Sequence, residues 1–330
     1  MTPPDVSVVI SVKNRAVMMG DCIAGLLAQT LPRERFELVL VDNCSSEDLR
    51  AVADAAREAG LSVTYLRTER DGGPAPARNL GVGAARGRII AFTDSDCRPS
   101  PGWLAAGIAP FDDPQLGLVS GPVLPKPEQQ IRPTTKVTFI TREEHPTFPT
   151  ANLFVRRYTF LALGGFDTSL SFQDPFDRAT ECADTDLAWR IIKTGATRRF
   201  LPDAVMLHEL EEQGWLMWVL EPTRLFVLPA LIRRHPELRK KLLRFGLVFE
   251  WRASILAPTL VFTALLALWW PWLLAVPVVA ALARAIWRRR TAAPRVVLAQ
   301  MGITLIHLPR LAVVSLSLLY GSIRFRSLVI

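Results

Sequence analysis

The sequence predicts an α/β fold built on a parallel, doubly wound sheet, followed by apolar C-terminal helices. Three observations predict it. β-branched apolar runs alternate with helix-period patterns through the first third of the chain, in β-α-β-α-β order. The runs end abruptly in polar tips, which such a sheet gathers along one edge, where it opens onto a ligand crevice. After Glu212 the composition changes to long apolar stretches flanked by basic residues.

The elements follow in order. Val6 to Val12 reads as a buried strand, closed by Lys13-Asn14-Arg15. A helix with Met18, Cys22, Leu26 and Leu27 on one face runs to about Gln29-Thr30-Leu31-Pro32. Phe36 to Val41 is the second strand, stopping at Asp42-Asn43-Cys44-Ser45-Ser46. Asp48 to Ala59 is an Ala-rich helix closed by Gly60, and Leu61 to Leu66 is the third strand. Gly72-Gly73 then allows close approach of the backbone to a ligand. Arg78 is expected at the start of a helix, Ala77 to Ala85, where dipole and guanidinium both favour phosphate; the bland alternative is a solvated side chain on a flexible loop.

The stretch Arg88-Ile89-Ile90-Ala91-Phe92-Thr93-Asp94-Ser95-Asp96-Cys97 carries the chemistry. Its apolar half is a strand buried on both faces. Strand alternation would set Asp94 and Asp96 on one side, where they repel unless a cation joins them. A hard divalent ion, Mg²⁺ or Mn²⁺, takes such oxygen ligands and bridges to phosphate. Both aspartates could instead cap the Pro99-Ser100-Pro101-Gly102 turn.

Downstream, Trp103 to Phe111 suggests a short helix and Leu116 to Gly121 a strand. Pro122 to Pro149 reads as a long excursion, of a kind usually functional or mobile. Phe154-Val155-Arg156 is strand-like, and Gly164-Gly165-Phe166-Asp167 is a tight turn. In Glu181-Cys182-Ala183-Asp184-Thr185-Asp186-Leu187, Asp184 falls near a helix N-terminus and serves either as an N-cap or as a general base. Ala196 to Leu201 is a last strand-like piece. His208, just past an apolar run, is either structural or completes a metal shell.

Composition narrows the function classes. With 50% hydrophobic and 21% charged residues in 330, the chain is globular rather than disordered. Its basic excess, 39 Lys and Arg against 31 Asp and Glu, is concentrated beside the apolar C-terminal segments, which favours a membrane surface over nucleic acid. Cys22, Cys44, Cys97 and Cys182 are too scattered for a metal-ligand pair and fit a reducing compartment. Met1-Thr2-Pro3-Pro4-Asp5 leads into a strand without a signal-peptide pattern, so the cytosolic side is expected.

Taken together, Val6-Ser7-Val8-Val9-Ile10 with Asn14-Arg15, Gln29-Thr30, Val39-Leu40-Val41-Asp42-Asn43 with Ser45-Ser46, Ala77-Arg78-Asn79-Leu80-Gly81, Phe92-Thr93-Asp94-Ser95-Asp96, Gly164-Gly165-Phe166-Asp167, and Asp184-Thr185-Asp186-Leu187 with Arg190 and Gly195 form an ordered series. From about Val6 to His208 the chain resembles the inverting family-2 glycosyltransferases of the GT-A fold.

The resemblance implies roles. Ser11, Asn14, Arg15, Asp42 and Asn43 would hold the nucleotide, with Arg78 and Asp94 near its diphosphate. Asp94 and Asp96 would be the metal-diphosphate motif, with His208 as a further ligand, and Asp184 the catalytic base. Gly164 to Asp167 would shape the acceptor side. The family's Glu-Asp pair is here Ala183-Asp184, which removes one acidic neighbour. Asn43 stands where many uridine-binding members carry Asp, so UDP-, GDP- and dTDP-sugars all stay open as donors.

In the C-terminal third, Trp215, Trp218 and Phe226 alternate with Arg224, Arg233-Arg234 and Arg239-Lys240-Lys241, an amphipathic interfacial pattern over 213–250. Ser254 to Ala283 and Val296 to Tyr320 each exceed the ~20 residues a spanning helix needs. Trp269-Trp270-Pro271-Trp272 interrupts the first, and Pro309-Arg310 the second; Arg310 is costly in a bilayer unless paired or snorkelling. The expected organisation is a catalytic domain over 1–212, the interfacial region, and membrane helices over 251–330. That places the enzyme on the cytoplasmic face of the inner membrane, acting on a lipid-linked or envelope-glycan acceptor and on no nucleic acid. A degenerate transferase domain serving as a membrane scaffold is the non-enzymatic alternative, for which Ala183 speaks. A nucleotidyltransferase is the other, disfavoured because no Gly-rich basic loop follows the first strand.

Overall fold

The computed structural model describes residues 3–137, 140–176, 178–255, 259, 268–269, 272, 275–289 and 293–330. The chain forms two compact units, Met1–Phe172 with Glu181–Glu211, and Gln173–Thr180 with Glu212–Ile330.

Up to His208 the strands are β1 (Val6–Val12), β2 (Phe36–Asp42), β3 (Val63–Arg67), β4 (Ile89–Phe92), β5 (Cys97–Pro99), β6 (Leu116–Ser120), β7 (Val123–Pro125), β8 (Thr135–Lys136), β9 (Leu153–Arg156), β10 (Ser171–Gln173), β11 (Ala179–Glu181), β12 (Thr197–Phe200) and β13 (Met206–His208). The helices used below are α1 (Ala16–Leu27), α2 (Leu49–Glu58), α3 (Pro74–Ala84), α4 (Trp103–Ile108), α5 (Arg157–Ala162) and α6 (Ala183–Lys193).

A seven-stranded sheet runs β12-β6-β9-β4-β1-β2-β3. Its neighbours are parallel except at β9, which pairs antiparallel with both β4 and β6. The fold class is therefore α/β with a mostly parallel sheet. The one departure from parallel pairing is β9, which returns through the long 122–149 connection instead of a helical crossover. Val8, Ile10, Leu38, Leu40, Ile89 and Ala91 are fully buried, which is why these strands read as continuous apolar runs. Helix α3 lies close against them: a Cβ on Gly81 would sit 2.7 Å from Val9 Cγ1 and 3.0 Å from Val41 Cγ2. A smaller sheet, β5-β13-β7, is joined antiparallel at β5 and parallel at β7.

The 122–149 excursion, expected to be functional or mobile, is tied down where it is described. Buried Lys126 bonds Asp21 and Glu209, each at 2.6 Å. The carbonyls of Pro146 and Thr147 accept from Trp189 Nε1 at 2.9 Å and Thr185 Oγ1 at 2.8 Å, fastening the first turns of α6.

In the second unit, Asp174 accepts from the backbone N–H groups of Phe176 and Arg178, from Arg178 Nε at 2.7 Å and from Thr223 Oγ1 at 2.8 Å. Burial pushes its carboxyl up, but these donors outweigh burial and hold it at about 2. Among the described residues, two stretches are long and apolar enough to cross a membrane by length and composition, Trp215–Arg234 and Pro294–Phe325; 61% of the qualifying window of the first is buried by protein, and 17% of that of the second. The first is thus more covered by its own unit than the second. Half of the apolar run expected from Ser254 to Ala283 lies outside the described residues; its last turns belong to the Val276–Arg288 helix.

Arg310 is paired. Its Nη2 lies 3.2 Å from Glu221 Oε2, and its guanidinium stands 4.5 Å from the Trp218 ring centroid. Removing the cation would leave Glu221 nearly buried without its charge partner. Arg310→Leu is expected to cost on the order of 2 kcal/mol. Arg310→Leu with Glu221→Leu should recover most of that loss, as judged by thermal unfolding in a neutral detergent. Equal destabilisation by the single and double variants would show that the pair contributes nothing.

Candidate active site

Strand β4 ends at Phe92, so Asp94 and Asp96 do not alternate along a strand as expected. A turn gathers them instead, with Cys97 N donating to Asp94 O at 3.1 Å. The chain then enters β5, where the antiparallel register sets Cys97 opposite His208 of β13. Ligand atoms of Asp94, Asp96, Cys97 and His208 consequently lie within 4.8 Å of one another. His208 Nδ1 is 2.6 Å from the Glu209 carbonyl oxygen, to which it can donate, and Nε2 lies 3.5 Å from Asp96 Oδ1. With Nδ1 so engaged, the Nε2 lone pair is the one available to a metal.

Asp96 is held differently at its two oxygens. Oδ2 accepts from Arg15, a residue expected at the nucleotide. Oδ1 is buried and finds no hydrogen-bond donor among the described residues. A buried acceptor left without a donor is costly, and a cation removes that cost. Burial, with Asp94 and Asp96 adding to it, pushes the Cys97 thiol well above its ordinary pKa, so it stays protonated and offers no thiolate. Two carboxylates and an imidazole make an oxygen-rich set that suits Mn²⁺ or Mg²⁺.

Arg78 joins this group to the start of α6. The helix that carries it begins at Pro74, four residues before, because proline suits the first helical position. Arg78 therefore lies inside the helix and not at its N-terminus as expected, with 6% of its surface exposed. Its Nη2 donates to Asp94 Oδ1 at 2.8 Å and its Nη1 to Glu181 Oε1 at 3.0 Å.

Asp184 stands one residue inside α6, whose cap position is Cys182, so the N-cap reading of Asp184 fails. The side chain keeps partial access to solvent. Desolvation raises its carboxyl to about 7; Thr185 N–H and Arg78 pull the other way, while Glu181 and Asp94 add to the rise. A carboxyl poised near neutrality is suited to general-base work. Glu181 thus supplies the acidic neighbour missing at Ala183. Sequence reading overlooked it, though its signal was plain: a carboxylate three residues upstream of Asp184.

Other motif residues shape the walls. Asp186 bonds Arg190 at 2.7 Å, and Arg190 donates to the carbonyls of Leu163 and Gly165. Gly164 and Gly165 hold φ of 77° and 72°, a conformation open mainly to glycine. Asn79 binds the backbone N–H and carbonyl of Phe166, each at 2.9 Å, which sets the Phe166 ring 5.9 Å from Arg78.

At the far side, buried Asp42 accepts from Ser45 N and Tyr65 Oη, each at 2.8 Å, and from Arg67 Nη1 at 2.9 Å. Burial pushes its carboxyl up, yet these partners hold it below the ordinary value. Asn43 Nδ2 donates to Asp71 Oδ1 at 2.7 Å, and Lys13 meets Asp71 Oδ2 at 2.5 Å. Asn14 Oδ1 accepts from Ser46 N at 2.8 Å. Ser11 lies near the C-terminal end of β1, partly exposed. Asp71, in the Asp71-Gly72-Gly73 loop, is a further candidate that sequence reading passed over, joined to Asn43 and Lys13.

Residues 7–166 match the family model described as Glycosyl transferase family 2. This domain belongs to glycosyl transferase family 2. The family 2 match ends at Phe166, so Glu181, Asp184 and His208 lie beyond it and are brought to Asp94 and Asp96 by tertiary structure. The chain is similar to Glycosyltransferase AglE of Haloferax volcanii, 34% identical over 122 residues, which cover 37% of this chain and 40% of the relative. It is also similar to the pre-mycofactocin glycosyltransferase of Mycobacterium tuberculosis, 28% identical over 230 residues, 63% of this chain and 43% of the relative. The chain thus spans less than half the length of these two curated relatives. Among solved structures, the mannosyltransferase PcManGT from Pyrobaculum calidifontis, in complex with GDP-Man and Mn²⁺, superposes with TM-score 0.60 at 22% identity, over 99% of this chain and 88% of that one. TarS 1–349 of S. aureus in complex with UDP gives TM-score 0.53 at 16% identity, over 97% and 91%. At such identities the likeness establishes the GT-A fold of the family 2 domain.

Proposed function

We propose that this chain is a metal-dependent, inverting glycosyltransferase that moves a sugar from a nucleoside-diphosphate sugar to a hydroxyl of a lipid-linked or cell-envelope glycan acceptor. One observation carries the reading: the buried Asp96 Oδ1, without a donor among the described residues, stands with Asp94 and His208 in the same unit that holds Asp184, whose carboxyl is poised at about 7. The comparison structure with GDP-Man and Mn²⁺, and the one with UDP, support a nucleotide-linked donor and a divalent cation.

In this reading Asp184 accepts the proton of the acceptor hydroxyl. The freed oxygen attacks the anomeric carbon from the face opposite the diphosphate, and the bond from that carbon to the phosphate oxygen breaks. A single displacement inverts the anomeric centre. Arg78, anchored by Asp94 and Glu181, presents a fixed positive charge beside the departing diphosphate. A cation held by Asp94, Asp96 and His208 would neutralise the rest of that charge. Asp42, Asn43 and Asp71, with Ser11, Asn14 and Arg15 at the end of β1, form the nucleotide side. Residues 1–212 are the catalytic part, 213–250 an interfacial region and 251–330 the membrane-associated helices, on the cytoplasmic face of the inner membrane. The apolar Pro294–Phe325 helix, mostly uncovered by protein, supports that placement.

Thermal stabilisation by a panel of nucleoside diphosphates, with Mn²⁺, with Mg²⁺ and with chelator, tests the reading. One nucleotide should stabilise the protein in a metal-dependent way and so name the base; at a hundredfold excess over Kd the shift is ~2.7 kcal/mol. No shift with any nucleotide would sink it.

A further inference from the structure

The second unit holds a cavity of about 540 Å³, bounded in part by the Val276–Arg288 and Pro294–Phe325 helices. Among the described residues, Arg252, Arg284, Arg288 and Arg289 line it, and no Asp or Glu does. None of these four arginines forms an ion pair among the described residues. Arg252 and Arg284 instead lie 5.9 and 5.8 Å from the ring centroid of Trp251. The remaining wall is largely apolar, with Ile303 and Leu308 among its side chains. Four guanidiniums around one space repel each other and gain by admitting an anion. Guanidinium forks match phosphate oxygens in pairs of hydrogen bonds. An apolar wall beside that charge requires a ligand with a hydrocarbon part as well, and the volume is that of an ordinary small-molecule site.

The geometry points to a binding site for a phosphate-bearing lipid, its headgroup on Arg252, Arg284, Arg288 and Arg289 and its chain along the apolar wall. Basic recesses between membrane helices take anionic headgroups on the same physical grounds. The inference rests on the reading of 251–330 as membrane-associated helices and uses none of the residues assigned to the transfer step.

The test measures binding to the full chain in a neutral detergent. The probes are dioctanoyl phosphatidylglycerol, dioctanoyl phosphatidylcholine, farnesyl phosphate and inorganic phosphate. Wild type should bind at least one anionic lipid ten-fold or more tighter than phosphatidylcholine or inorganic phosphate. Arg284→Gln with Arg288→Gln should weaken that binding at least ten-fold. Arg142→Gln with Arg199→Gln, an equal charge change in the first unit, should leave it unaltered. Tighter binding of phosphatidylglycerol would make the ligand a bilayer phospholipid, and tighter binding of farnesyl phosphate a prenyl phosphate. Equal binding of phosphatidylcholine, equal binding of inorganic phosphate, or full affinity in the double variant would overturn the proposal. If the double variant misfolds, Arg289→Gln, at the exposed end of its helix, takes its place under the same criteria.

Discussion

Asp184→Asn is expected to lower transfer by about 10²–10⁴-fold while leaving nucleotide binding intact. The amide keeps the shape of the side chain but cannot take a proton from the acceptor. The wild-type pH dependence should carry the same signature. Its carboxyl is raised to about 7, so kcat/KM should climb through neutral pH as the base loses its proton, then level off. That limb should vanish in whatever activity the variant retains. Stability should move in the opposite direction. A folded-state pKa above the unfolded one means that the charged form is disfavoured by folding. The folded protein therefore loses stability as pH rises from the ordinary carboxylate range to about 7. Above that pH, Asp184→Asn should be the more stable protein by up to a few kcal/mol, and at acid pH the two should converge. A variant with normal turnover, or one less stable at pH 8, would refute the assignment of Asp184 as a poised base.

Asp96→Ala should abolish the metal-dependent part of nucleotide binding. The substitution removes the buried Oδ1, which finds no donor among the described residues and lies 3.5 Å from His208 Nε2. It also frees Arg15, whose guanidinium is already partly in solvent and bears the loss cheaply. Nucleotide should then stabilise the variant equally with Mn²⁺ and with chelator, whereas wild type should separate the two conditions. His208→Ala should act in the same sense but less, because Asp94 and Asp96 remain to hold the cation. Unchanged nucleotide affinity in Asp96→Ala, with and without Mn²⁺, would remove Asp94, Asp96 and His208 from consideration as a metal site.

These two experiments probe parts of the site that differ in how they could be read. Asp94 and Asp96 were legible in the sequence because they sit close together at the end of an apolar strand, a local pattern. Asp184 was legible as a candidate, yet its raised pKa was not, since that depends on desolvation and on Glu181, Asp94 and Arg78. The one near miss has the same origin. Arg78 was assigned to a helix start because the pattern Ala77 to Ala85 is local, but Pro74 begins the helix earlier and turns the side chain inward. The contact of Arg15 with Asp96, eighty-one residues away, likewise has no local signature.

The sequence by itself determined the strand and helix alternation, the polar strand tips, the paired aspartates and the switch to apolar helices after Glu212. All of these follow from periodicity, turn chemistry and burial over a few residues. Only the tertiary structure decided that β9 enters the sheet antiparallel between β4 and β6, that β13 pairs with β5 and so carries His208 to Asp96, and that Glu181 and Asp94 share Arg78. It likewise decided that Arg310 is paired with Glu221. Each of these joins residues distant in the chain, and strand register and helix packing, which no local pattern encodes, select which distant side chains meet.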